Sequence, residues 1–431
     1  MRGHATYSSE RRRPLSASGG GAVVIYLDHA ATTPLRPSAL AAFAEASAHA
    51  GNPSSVHGAG QEARRRLEDA RSTIAHALGC EPIEIVLTAG GTEAINLAVK
   101  GLYWSRVGAA PARRRVLVPE GEHHATIDSA AWLAEHEGAE IDWLPLDSEG
   151  VLHPEVLAAS IARDPESVAL VTALWVNNEI GTIQPVVELA SVCAEAGVPL
   201  HLDAVAALGH LPVDVGAVRR ASGTRGGAGL VAVSVSGHKV GAPVATGALV
   251  LGRAAQVVPL LHGGGQQRGI RSGTQDVAGA AALAVAIAEA VAELPEELPR
   301  VAALRDRLVA GVLAAVPGAT LTGPPLDSGR RVSNNAHVSF PGAQGDSLLF
   351  LLDQAGLSVS TGSACTAGIP EPSHVVMALG RSEDEARGVL RLTLGRTSTA
   401  SDVDALHAAL PEAYARASRA GLSNRTVLPA R

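Results

Sequence analysis

Aromatic residues are scarce in this chain: Phe, Trp and Tyr together make up 3% of its 431 residues. The core must therefore be aliphatic, built from the Ala, Val and Leu that carry most of a hydrophobic fraction of 46%. That fraction can bury a core, which excludes a chain disordered throughout. Cysteine is as sparse. Cys80, Cys193 and Cys365 show no C-x-x-C spacing, so no disulfide framework is expected and the reading is a reducing, cytoplasmic compartment. Positive charge is not in excess. The 35 Lys+Arg against 42 Asp+Glu leave a net charge of -7, which argues against a general nucleic-acid binder. No uninterrupted apolar run reaches the roughly 18 residues of a spanning helix. Glu289 and Glu293 break the most apolar stretch, Ala280 to Leu294, and no membrane association is expected.

The length points to two or three domains. Residues 1–21 are polar, basic and Gly/Ser-rich, without the apolar stretch of a signal peptide. They read as a disordered tail or as a start assigned too early. A short strand, VVIYL, follows. Thereafter aliphatic runs (IEIVLT, RRVLVP, EIDWLP, VALVTALWV, VPLHLD, VAVSVS, GALVL) alternate with stretches of helical spacing such as Gln61 to Leu78 and Val186 to Ala196. This alternation predicts an α/β fold with a mainly parallel sheet covered on both faces. After Gly279 a long Ala-rich helix, three strand candidates (NNAHVSF, LSVST, VLRLTL) and a helix near Asp402 to Ala417 predict a smaller α+β domain. Residues 216–229, rich in Gly and Arg, read as an exposed mobile loop.

Five constellations could carry chemistry. Lys239 follows the run VAVSVS in Ser236-Gly237-His238-Lys239. It is either a surface lysine or a desolvated amine able to join a carbonyl compound. Asp203 ends VPLHLD, at the edge where open α/β sheets bind ligands. A capping or ion-paired role is the plain alternative. Lysine and aspartate together are more specific, because pyridoxal phosphate (PLP) needs an amine for its aldehyde and a carboxylate for its ring nitrogen. TAGGTE, Thr88 to Glu93, is a glycine-rich turn opening a helix, which suits phosphate or simple packing. It is not a Walker pattern. Glu122-His123-His124 offers a ring-stacking or acid–base histidine in His123, and no metal site is expected from two adjacent histidines. Cys365 sits in the small-residue run TGSACTAG and suits a nucleophile. Cys80 and Cys193 read as structural.

Taken together, YLDHAATTP, GNPSSVHGAG, TAGGTEAINLAVKG, EHHATIDS, WVNNEIGTIQP, HLDAVAALG, SGHKVGAP, HGGGQQRGIRSGTQD, STGSACTAG and LRLTLGRTS resemble, in order, the cysteine desulfurases of the NifS/IscS group. These are fold-type I PLP enzymes of the class V aminotransferase superfamily. The resemblance implies a large PLP-binding domain over residues 34–278 with a mainly parallel seven-stranded sheet. A small domain of residues 22–33 and 279–431 would carry the cysteine loop. It implies that Lys239 joins PLP, Asp203 pairs with the ring nitrogen and His123 stacks on the ring and handles protons. Gly91, Thr92, Ser236 and His238 would hold the phosphate, and Thr274 would reach the phosphate of a neighbouring subunit in a homodimer. Asn178 and Arg391 would bind the substrate, L-cysteine, and Cys365 would accept its sulfur.

L-Alanine would be the second product. The sulfur would pass to an iron–sulfur scaffold or another acceptor protein, with tRNA thiolation as a further destination and no direct contact with nucleic acid. The run on to Glu371 and Pro372 resembles the longer cysteine loop of the scaffold-feeding subgroup. One departure stands out. The family usually carries glutamine three residues after the cofactor aspartate, and here that position is Ala206. Asn178 or a water is expected to compensate. Alternatives are another PLP enzyme of the same fold (a selenocysteine or cysteine-sulfinate lyase, or an aminotransferase) and a weakly active scaffold homologue. Cys365 favours persulfide chemistry over the first, and the intact Lys239, Asp203, His123 and Arg391 argue against the second.

Overall fold

The computed structural model describes residues 24–362 and 371–424. The expected tail over 1–21 and Cys365 lie outside them. From the N-terminal side the elements run β1 (Ile25–Tyr26), α1 (Pro37–Ser47), α2 (Gly58–Ala77), β2 (Ile85–Thr88), α3 (Gly91–Ala109), β3 (Arg115–Pro119), α4 (His124–Glu137) and β4 (Glu140–Leu144). They continue as α5 (Pro154–Arg163), β5 (Val168–Leu174), α6 (Val186–Glu195), β6 (Pro199–Asp203), α7 (Val215–Ala221), β7 (Gly229–Ser236) and β8 (Gly247–Leu251). The remainder is α8 (Val277–Ala315), β9 (Thr320–Leu321), β10 (Asn335–Ser339), α9 (Gly345–Gln354), β11 (Leu357–Ser358), α10 (His374–Ala378), α11 (Glu383–Arg387), β12 (Val389–Thr393) and α12 (Ala400–Asn424).

The seven aliphatic runs all become strands of one seven-stranded sheet, ordered β2-β8-β7-β6-β5-β3-β4. Every residue of β5, β6, β7 and β8 is buried. That is why these strands read as unbroken apolar runs rather than alternating ones. β8 alone runs antiparallel to its neighbours, so β2, β7, β6, β5 and β3 point the same way. Their carboxyl ends, and the loops that follow them, therefore share one edge. A smaller three-stranded sheet, β12-β10-β9, is antiparallel, and β1 pairs with β11 beside it.

Helix α8 serves both cores. Ala280 to Ala290 pack into the larger apolar cluster, and Val301 to Val312 pack into the smaller one. Pro295 and Pro299 lie between the two halves. Asp276 caps its start, accepting from the Gly279 N–H at 2.8 Å. Contrary to the sequence reading, α8 holds a stretch long and apolar enough to cross a membrane despite Glu289 and Glu293. Half of that stretch is buried inside the fold, the pattern of a core helix.

Residues 216–229 also depart from expectation. Their first part is helix α7, not an open loop. Asp214 caps it through a 2.7 Å bond from the Ala217 N–H, and Val215 and Val218, three apart, bury one face. Arg219 pairs with the buried Glu84 at 2.8 Å. Glycine and arginine content hid this helix because its stability comes from the cap and the ion pair. Gly216 matters for close approach, since a Cβ there would lie 2.4 Å from the Gly79 carbonyl oxygen. Gly216→Ala is expected to cost about 2 kcal/mol through overpacking, read as a lower urea midpoint. A freely exposed loop would tolerate the change.

Candidate active site

The shared edge of the sheet opens onto a cavity of about 450 Å³. Five of the parallel strands deliver residues to it. β2 leads to Gly91 and Thr92, β3 to His123, β5 to Asn178, β6 ends on Asp203, and β7 ends on Ser236 and continues to His238 and Lys239. Arg391, on β12, closes the cavity from the smaller sheet. The structure thus gathers nine of the sequence-expected residues, Asp203 and Lys239 among them, in one place. This is the position at which open α/β sheets hold ligands.

Lys239 is largely buried. Its amine donates to the carbonyl of Ala31 at 3.0 Å and to that of Ala30. Burial pulls its pKa down to about 8, and the nearby Arg391 charge adds to that, while Asp28 and Asp203 oppose it. Asp203 accepts one hydrogen bond, from the Val205 N–H at 2.9 Å. Burial lifts its carboxyl to about 6, against the stabilising Val205 N–H and the Lys239 charge. A cation placed beside Asp203 would lower its pKa again. His123 caps α4, its Nδ1 accepting from the Ala125 N–H at 3.1 Å. The neutral ring therefore carries its proton on Nε2. Burial first, then the charges of Lys239, His124 and His374, hold its pKa near 4 (the value is about 4), so the ring is neutral and apolar-faced at ordinary pH.

The N-terminus of α3 is shaped for close approach. Gly90 has φ +137°, and a Cβ on Gly91 would meet Val205 Cγ2 at 2.8 Å and Ser236 Cβ at 3.2 Å. Unpaired N–H groups at such an end attract a phosphate. His238 reaches Thr32 through Nδ1 at 3.2 Å. Arg391 donates to the Asn178 carbonyl at 3.0 Å and to Asp28 at 2.9 Å, while its Nε and the Asn178 Oδ1 are buried without a partner. An aldehyde-reactive amine, a buried acid lacking its cation, a phosphate cradle and orphaned polar atoms fit PLP with an amino-acid substrate.

Other sequence readings fare differently. Thr274 does not line this cavity. It lines a neighbouring one of about 190 Å³ that shares Ala89 and Ala245 with it. Ala206 does line the main cavity, where its methyl offers no hydrogen bond. Cys80 is pushed up to about 12 and the fully buried Cys193 higher still, both chiefly by burial, as inert thiols should be. His124 packs edge-on against His374, with ring centroids 5.0 Å apart. Among the described residues no cluster of His, Cys, Asp or Glu is arranged to hold a metal. Gly362 and His374, on either side of the segment containing Cys365, both line the cavity. The sequence reading missed Asp28, Glu122, Glu179 and His374. Asp28 and Glu179 sat inside the motifs YLDHAATTP and WVNNEIGTIQP, but only the fold shows what they touch.

These features define a cofactor-dependent enzyme of the class V aminotransferase family, and the chain belongs to it: the family model "Aminotransferase class-V" matches residues 25–406. More particularly, it is 51% identical over 398 residues to the IscS-like cysteine desulfurase of Mycobacterium tuberculosis, covering 92% of this chain and 98% of that one. It is 38% identical to the cysteine desulfurase IscS of Methanosarcina thermophila, covering 90% of this chain and 91% of the relative. Among solved structures, a NifS-like protein superposes with a TM-score of 0.80 at 31% identity, covering 91% of this chain and all (100%) of the other. DndA from Streptomyces lividans gives 0.69 at 33% identity, covering 85% and 99%.

The lowered pKa of Lys239 sets a test. A neutral amine is the reactive form, so capture of PLP by the apoprotein should speed up with pH to a plateau above about 8. An ordinary lysine would still be gaining rate near 10. Stopped-flow absorbance across that range measures it, with Lys239→Arg as the blank.

Proposed function

We propose that the protein is a PLP-dependent cysteine desulfurase, taking L-cysteine to L-alanine and leaving the sulfur on Cys365 as a persulfide. The observation that carries this reading is a single cavity lined by Lys239, Asp203, His123 and Arg391 and by both flanks of the Cys365 segment. When bound, PLP supplies a conjugated ring that takes up the electron pair left as the substrate α-proton departs.

The chain's own residues supply the rest. Lys239 would hold the cofactor, and its amine, neutral above about 8, can take the α-proton and return it. Asp203 would keep a proton on the ring nitrogen. His123 would lie against the ring, its Nε2 proton available to the departing groups. Gly91, Thr92, Ser236 and His238 would hold the phosphate. Arg391 presents a guanidinium fork suited to a carboxylate. Asn178, whose side-chain oxygen is buried without a partner, would orient the substrate and stand in where Ala206 offers no bond. The Cys365 thiolate attacks the substrate sulfur. The S–S bond forms as the C–S bond breaks, the electron pair stays on Cβ, and a proton there completes the methyl group of alanine.

The proposed setting is the cytoplasm, where such a thiol stays reduced. The working unit would be a homodimer in which Thr274 of one protomer completes the phosphate site of its partner. The persulfide would feed an acceptor protein, foremost an iron–sulfur scaffold, with thiolation of tRNA as a later destination of the same sulfur. The relatives named as cysteine desulfurases support the release of sulfur from L-cysteine that such a transfer requires.

The deciding experiment is alanine release from L-cysteine by the PLP-loaded protein beside Cys365→Ser. Alanine from the wild type and at least about a hundredfold less from the variant is expected, as for loss of a nucleophile. Alanine from both would instead identify a lyase that does not use the thiol. A second variant probes the departure. Ala206→Gln adds a hydrogen-bond donor to the cavity, worth about 1 kcal/mol, and is expected to shift the absorbance maximum of the bound cofactor. An unchanged spectrum and turnover would count against compensation by Asn178 with an altered cofactor environment.

A further inference from the structure

Glu179 is a buried acid on the cavity wall that the chemistry above does not use. Its main chain is held from two sides. Its N–H donates to Asn177 Oδ1 at 2.9 Å, and its carbonyl accepts from Asn335 Nδ2, on β10, at 2.8 Å. The residue is a post between the end of β5 and the smaller sheet. Its carboxylate is 2% exposed and accepts a 2.6 Å bond from the hydroxyl of the fully buried Ser373. Ser373 also caps α10, accepting from the Val376 N–H at 3.2 Å. On the other side lies Gly362, at φ +86°, packed so closely that a Cβ there would sit 3.2 Å from Glu179 Oε2. One carboxylate oxygen thus accepts from Ser373 and lies beside Gly362, residues that follow and precede Cys365 in the chain.

A separate apolar contact holds α10 in place. Ile180 packs with Val375 and Leu379 in a small buried cluster, and His374 Nε2 donates to the Glu122 carbonyl at 2.9 Å. The helix would therefore stay docked without the carboxylate. What the carboxylate adds is a fixed separation and direction for the two chain ends flanking Cys365. A charge-assisted bond in a dry site is strong enough to do this.

We propose that Glu179 is the positioning residue for sulfur transfer: its carboxylate sets both chain ends beside Cys365 against the cavity wall, and it takes no part in cofactor binding or α-proton removal. The proposal rests on the reading of Cys365 as the nucleophile. It predicts a split between two half-reactions. Exchange of the α-hydrogen of L-alanine for solvent deuterium needs Lys239 but no thiol. Persulfide formation from L-cysteine, trapped by alkylation, needs Cys365 in place.

The test uses PLP-loaded protein carrying Glu179→Ala, Glu179→Gln, Ser373→Ala or the Glu179→Ala/Ser373→Ala pair. For Glu179→Ala, α-hydrogen exchange is expected within about twofold of wild type and persulfide formation to fall about tenfold or more, a loss confined to one step. Glu179→Gln keeps an acceptor oxygen for Ser373 and should recover most of the rate. Ser373→Ala should match Glu179→Ala, and the pair should be no worse than either alone, as for two halves of one contact. Parallel loss of both half-reactions would overturn the proposal, since Glu179 would then serve the cofactor site or the fold. Unchanged persulfide formation in Glu179→Ala, with Cys365→Ser inactive, would overturn it alone. Persulfide-independent alanine release by Cys365→Ser would overturn the parent reading and this one together.

Discussion

The amine of Lys239 is taken out of water and given only the carbonyls of Ala30 and Ala31 as hydrogen-bond partners. That pairing ties the N-terminal stretch to the end of β7, and the same stretch organises everything around it. Asp28 holds Arg391 from the smaller sheet, and the Thr33 N–H donates to the His238 carbonyl at 3.1 Å. Arg36 reaches Glu293 on α8 at 2.7 Å and donates to the Val240 carbonyl at 2.9 Å. Residues 28 to 36 are thus the common attachment for the lysine turn, Arg391 and the helix shared by both cores. A carbonyl pair satisfies an ammonium without an opposite charge, so the amine loses its proton more readily than an ion-paired lysine would.

The electrostatics of the cavity follow from that burial. Lys239 and Arg391 line the cavity with Asp203 and Glu179, and Arg391 is paired with Asp28 just behind it. Asp203 is left with a single N–H partner, and its carboxyl rises to about 6. Behind it Glu122 is completely buried, bonded through one oxygen to the Leu174 N–H at 2.7 Å, and burial together with the Asp203 charge pushes its pKa well up. Burial thus favours the uncharged form of each of the three groups, His123, Glu122 and Asp203.

Two cores joined by α8 place the chemistry at their boundary. The larger sheet brings phosphate, ring and lysine groups to one edge because its parallel strands all end there. The smaller sheet contributes Arg391 from β12 and Asn335 from β10, which holds the main chain of Glu179. The same boundary carries Ser373 and Gly362. Lys239, Asp203 and His123 thus stand on different elements from Ser373 and Gly362, and the two groups meet across one cavity wall, which is the physical basis for separating them by mutation.

The sequence alone determined the strand and helix alternation, because β5 to β8 are buried on both faces and the chain must write them as unbroken aliphatic runs. It also located Lys239, Asp203, His123 and Arg391 through short motifs whose residue types have few other uses in that order. It misread residues 216–229, where a capping aspartate and the Arg219–Glu84 pair outweigh a composition typical of loops. It could not show that Asp28 holds Arg391 or that Glu179 touches both Gly362 and Ser373. Those partners are separated by 363 positions for Asp28 and Arg391, and by 194 for Glu179 and Ser373. Periodicity and capping are local signals. Only the packing of the two sheets across α8 brings such distant residues within a hydrogen bond of each other.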